Sequence, residues 1–123
     1  RIEQAGTPQE VFNQPVSEFV ARFIGGHNIL QTPAGKVALR IDRLHLQARS
    51  GTQFISGRVF GIEYQGMHVV LTIQPDDGQQ ERLTVSLPEA VYMANPCQMN
   101  APLNLYWHPM DAHALPSSSP TAA

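Results

Sequence analysis

The residues of this 123-residue chain that could do chemistry are five histidines, one cysteine and ten carboxylates. Their spacing decides what that chemistry could be. His108-Pro-Met-Asp111-Ala-His113 is the only local cluster of nitrogen and oxygen donors that could meet around one ion. The spacing matches no established metal motif, so the segment reads as a strand end followed by a turn or short helix capped by Asp111. Cys97 follows Pro96, and no sequence signature nominates a base to activate it. Asp76-Asp77 precedes Gly78 in a turn, where Asp is chosen for its local hydrogen bonds. Glu63 lies in a strand beside Tyr64, and no two acids are paired as a hydrolase requires. His68 reads as a partly exposed histidine partway along a strand. A nucleotide-binding phosphate loop is absent: Gly25-Gly26 lacks the Lys-Ser/Thr that such a loop carries. A nucleophile elbow is absent too, since Ser56-Gly57 has no glycine two residues earlier.

The elements that must position these groups follow from hydrophobic period. Thr7-Pro8-Gln9-Glu10 is a helix start, with Thr as cap, Pro at the first helical position and Glu reaching back to the cap. Pro15 ends that turn near Asn13-Gln14. Val16, Phe19, Val20 and Phe23 form one apolar stripe on a second helix over about 16–24, closed by Gly25-Gly26. Beyond Asn28 the period becomes two. Alternation predicts strands over Lys36–Asp42, Phe54–Tyr64, Met67–Ile73, Arg82–Leu87 and Leu103–Trp107. Tyr64-Gln65-Gly66 suits a hairpin, Gly57 and Gly61 mark a bend or bulge, and Pro75-Asp-Asp-Gly78 is a turn. Residues 89–102 follow Pro88 and are interrupted by Pro96 and Pro102, with one helical turn expected at Ala90–Met93. Five or six short strands with Gly/Pro turns favour a small barrel or sandwich.

Composition narrows the function further. One cysteine excludes an internal disulfide framework and a Cys-rich zinc site. Eight Lys+Arg against ten Asp+Glu, with Lys36 the single lysine, is not the footprint of a phosphate-backbone binder, so nucleic acid is not an expected partner. Apolar runs such as Met67–Ile73 are too short to cross a bilayer. No signal peptide opens the chain, and it starts at Arg1, which leads us to expect a piece of a longer protein.

Two segments carry a family resemblance. Arg1-Ile-Glu-Gln-Ala-Gly-Thr-Pro-Gln-Glu-Val-Phe-Asn-Gln-Pro15, with Phe19-Val-Ala-Arg-Phe-Ile-Gly25 and Asn28, resembles the end of the nucleotide-binding domain of ABC importer ATPases. Val37-Ala-Leu-Arg-Ile-Asp-Arg-Leu-His-Leu46 resembles the start of that family's accessory TOBE domain, with Ile41 and Asp42 where Pro and Glu are usual. Gly57-Arg-Val59, Tyr64-Gln-Gly66 and Leu105-Tyr-Trp-His-Pro-Met-Asp-Ala-His-Ala-Leu115 resemble its later motifs. The ending leans toward importers of polyamines or ferric iron.

The resemblance implies a mainly β chain, a small OB-like β-barrel preceded by two short α-helices. Residues 1–28 would end the ATPase domain, 29–115 would form the barrel, and 116–123 would be a disordered tail. It implies a non-catalytic regulatory or dimerisation domain of an importer's ATP-binding subunit. The expected partners are a second copy, the subunit's own ATPase domain and the transmembrane subunits, on the inner face of the cell membrane. ATP and magnesium belong to the parent's upstream motifs, so no catalytic, cofactor-binding or metal residue is expected here. The alternative is a sensor barrel that binds the transported solute, a polyamine, a metal ion or a small anion. Glu63, His68, Asp111 and His113 would then be the candidate contacts.

Overall fold

The computed structural model describes residues 25–116. The two helices expected upstream, the Val16, Phe19, Val20 and Phe23 stripe and all but the first residue of the expected tail lie outside this range. Among the described residues the chain is mainly β, with strands β1 (His27–Thr32), β2 (Gly35–Arg40), β3 (Gln53–Gln65), β4 (His68–Pro75), β5 (Leu83–Pro88), β6 (Pro102–Trp107) and β7 (Ala112–Ala114). A single α-helix, α1 (Glu89–Ala94), and a 3-10 turn at Pro109–Asp111 complete the described elements. All pairings are antiparallel. One sheet has the order β1-β2-β7 and the other β5-β4-β3-β6.

The alternating runs form strands because one face of each is apolar. Val69, Leu71 and Ile73 of β4 and Leu83, Val85 and Leu87 of β5 are buried, as are Leu105 and Trp107 of β6. Together with Leu30, Leu39, Leu44, Val59 and Tyr92 they make one continuous core between the sheets. Met67, expected on the same face as Val69, is 82% exposed instead. It sits in the two-residue turn after β3, where Gly66 takes a φ of 72° that a side chain would resist. β3 runs for 13 residues and shifts register between Val59 and Gly61. That bulge turns Phe60 outward, where Arg82 stacks 3.7 Å from its ring centroid. At Gly57 the partner strand comes close: a Cβ would meet the Gln74 carbonyl oxygen at 2.6 Å and Ile73 Cγ2 at 2.8 Å.

Two strands go beyond the sequence reading. β1 packs Ile29 and Leu30 side by side, one toward each of two clusters, and so shows no alternation. β7 is only three residues long, too short to display a period.

The two sheets are joined along a seam between β1 and β5. Asn28, 5% exposed, donates from Nδ2 to the Thr84 carbonyl at 2.8 Å and accepts the Thr84 N–H at 2.8 Å on Oδ1. Its carboxamide thus stands in for a peptide of a neighbouring strand. Gln80 does the same for β1, accepting the Gln31 N–H at 2.9 Å and donating to the Gln31 carbonyl at 2.7 Å. The Ser86 N–H donates to the Ile41 carbonyl at 2.8 Å and continues the seam. The buried clasp leaves two polar backbone groups unsatisfied if it is removed, whereas the exposed one leaves them to water.

Asn28→Ala is therefore expected to cost about 2 kcal/mol, and Gln80→Ala under about 1 kcal/mol, read as shifts of the urea midpoint at constant slope. Gly57→Ala should cost about 1–3 kcal/mol, because β3 and β4 must part to admit the methyl group.

Candidate functional site

The loop after β2 carries the chemistry that the fold assembles. It is pinned at several points between Ile41 and Thr52. Leu44 is buried in the core. His45 and Tyr106 exchange both backbone hydrogen bonds at 2.8 Å, an isolated bridge on the outer edge of β6. Arg49 is fixed by a tight turn in which Thr52 Oγ1 donates to the Arg49 carbonyl at 2.7 Å, with Gly51 at a φ of 79°. The His45 ring meets His108 edge-on, with centroids 5.8 Å apart. Desolvation lowers the His45 pKa below its usual 6.5, and the nearby charges of Arg49 and His108 add to the effect while Asp111 opposes it. The ring is therefore held neutral at neutral pH.

The four ligand candidates divide between the two sheets. Glu63 and His68 lie at the β3–β4 hairpin, where Glu63 faces Val70 and Gln65 faces His68, so both project from the same side of the sheet. Both are exposed. His68 is the first residue of β4 rather than a mid-strand residue. Asp111 and His113 come together in a polar cleft of about 300 Å³, lined also by His27, Arg40 and Arg43. Arg43 Nη1 donates to Asp111 Oδ1 at 3.3 Å, tying the 3-10 turn to the loop after β2. Arg40 is held by Asp42 through two hydrogen bonds of 2.9 and 2.7 Å. Asp111 thus serves a structural ion pair as well as lining the cleft.

Among the described residues, no group of three or more His, Cys, Asp or Glu side chains could hold a metal ion. Cys97 is half-buried, and burial pushes its thiol pKa up, away from the thiolate that a nucleophile requires. Asp77 behaves as its turn predicts, its Oδ1 accepting the Gln79 N–H at 2.9 Å. No helix among the described residues is long and apolar enough to cross a membrane.

The His45, Arg49 and His108 grouping escaped the sequence reading. His45 and His108 are 63 positions apart, and long-range contacts, the bridge to Tyr106 and the Arg43–Asp111 pair, bring them together. Arg49 falls in a stretch without period, and nothing local distinguishes it from the other scattered arginines.

The described residues thus form a small two-sheet antiparallel β module with polar and mixed clefts. Residues 37–115 match the model of the TOBE domain, and the chain belongs to that family. It is 33% identical to the Fe(3+) ions import ATP-binding protein FbpC of Streptomyces avermitilis, over 63% of this chain and 28% of that protein. It is 38% identical to the spermidine/putrescine import ATP-binding protein PotA of Bacillus thuringiensis, over 53% of this chain and 21% of that protein. With the sulfate/thiosulfate import ATP-binding protein CysA of Thermosynechococcus vestitus the identity is 32%, over 65% and 27%. The chain spans about a quarter of the length of these curated relatives.

The depressed His45 pKa has a stability consequence with a definite sign. The unfolded chain takes up a proton at about pH 6.5, whereas the folded chain does so only at lower pH. The stability that neutral His45 contributes is complete above about pH 6.5 and is lost as the pH falls below it. Thermal melts at about pH 7.5 and about pH 5.5 should show a smaller acid-induced drop in Tm for His45→Gln than for the parent chain.

Proposed function

We propose that this chain is a non-catalytic C-terminal domain of the ATP-binding subunit of an importer, where it regulates the subunit and holds two copies together. The observation that carries this reading is the TOBE match over residues 37–115, combined with relatives that are import ATP-binding proteins. In this reading ATP and magnesium bind elsewhere in the parent subunit. The domain's partners are its own ATPase domain, a second copy and the transmembrane subunits, and it works at the cytoplasmic face of the membrane. The transported solute is a polyamine or ferric iron in the reading closest to the sequence motifs, and names among the relatives include both.

Self-association has physical support in surface left apolar. Tyr64 is 66% exposed at the hairpin end of β3, with Met67 beside it in the turn and Val91 and Met93 exposed on α1. Tyr64 packs edge-on against the buried Tyr92 of α1, with centroids 6.0 Å apart, and so links hairpin and helix into one surface. Apolar side chains collected in this way favour burial against another surface.

Light scattering on the 123-residue chain across a concentration series is expected to give a dimer, and Tyr64→Ser with Met67→Ser is expected to shift it toward monomer. A monomer at every concentration would overturn the dimerisation role. ATP hydrolysis by the chain above the buffer blank would overturn the non-catalytic one.

A further inference from the structure

The loop that carries His45 and Arg49 leaves a groove of about 450 Å³ against α1. Its volume lies in the range that encloses small molecules. Its floor is apolar, made by Leu46, Leu87, Val91 and Ala94, and its polar groups are His45, Gln47 and Arg49 on the loop and Asn95 at the end of α1. We propose that this groove binds a small organic acid, with the carboxylate held by Arg49 and the His45 ring and an apolar body lying along the floor.

Three observations select that class. First, the charge is available. Arg40 and Arg43 are committed to Asp42 and Asp111, whereas no carboxylate among the described residues pairs with the Arg49 guanidinium. A guanidinium presents two parallel N–H donors in the geometry of a carboxylate. Second, the backbone that carries the donors is anchored. His45 is bridged to Tyr106 and Arg49 is held by Thr52, so binding has to order the Arg49 side chain but not the loop that bears it. A neutral imidazole still has one N–H to give. Third, the floor discriminates. An inorganic oxyanion would leave the apolar wall wet, and a cation would meet Arg49. The site is separate from the polar cleft at Asp111 and His113, and it shares Val91 with the apolar surface proposed for self-association.

The groups that act on the His45 ring are Arg49, His108 and Asp111, with Arg43 bound to that same aspartate. A bound carboxylate adds negative charge beside them, so it must raise the titration midpoint of His45.

Sodium hexanoate is a suitable probe for titration of the isotope-labelled chain by NMR, with acetate and 1-hexanol as controls. Saturable shifts are expected at the Arg49, Val91 and Ala94 amides and at the His45 ring, with an upward move of the His45 midpoint at saturation. Arg49→Gln should weaken the response by about tenfold or more, while Arg49→Lys retains part of it. Failure to saturate these signals by about 50 mM hexanoate would overturn the proposal, since a ligand of this size with both contacts made should bind well below that. An equal response to hexanol would reduce the groove to a greasy surface. An equal response to acetate would leave only a charge effect, and an unchanged affinity in Arg49→Gln would remove the carboxylate contact; each of these outcomes overturns it.

Discussion

The two sheets are held in register across their seam by side-chain amides acting as backbone. Asn28 reads Thr84 as a neighbouring strand would, donating and accepting at 2.8 Å each. The constraint is severe because Asn28 is nearly inaccessible to water, so a donor and an acceptor there must find partners within the protein. With the seam fixed, Leu30 of β1 and Leu83 and Val85 of β5 share one core, and Ile41 can accept from Ser86. The direction in which the chain leaves β2 is thereby set, and with it the path of the loop that carries His45 and Arg49.

That loop shows how a segment without regular structure can be rigid where it matters. Leu44 enters the core, His45 bridges to β6, and the Arg49–Thr52 turn closes the far end. Between these anchors the loop stands over α1, whose small residues Ala90 and Ala94 leave room that larger ones would fill. The groove follows from a pinned backbone beside a short helix of modest side chains. The polar character of its loop side follows from which residues those anchors hold at the surface.

Much of the strand content was legible because one-sided burial writes itself as alternation. β4, β5 and β6 carry their buried residues at every second position, and the turns at Gly66 and at Asp77 follow from backbone chemistry. β1 was illegible for a physical reason. Asn28 is buried for its hydrogen bonds rather than its hydrophobicity, and Ile29 and Leu30 face two different clusters, so the strand has no single apolar face. Of the candidate site residues, Asp111 and His113 were close enough in sequence to be judged together, and one cleft holds both. His45 and His108 meet only through long-range pairing, for which a lone sequence carries no local mark.

The seam also orders events in time. The β1–β2 and β3–β4 hairpins and the β4–β5 pair join residues near in sequence, so each can form early at small entropic cost. The clasps join residues 56 and 49 positions apart, and the chain between them must already be arranged before either can close. Closure of the seam is thus a late step on the way to the native state. Bonds made that late do little to hasten folding, and their strength is felt chiefly as a slower rate of coming apart.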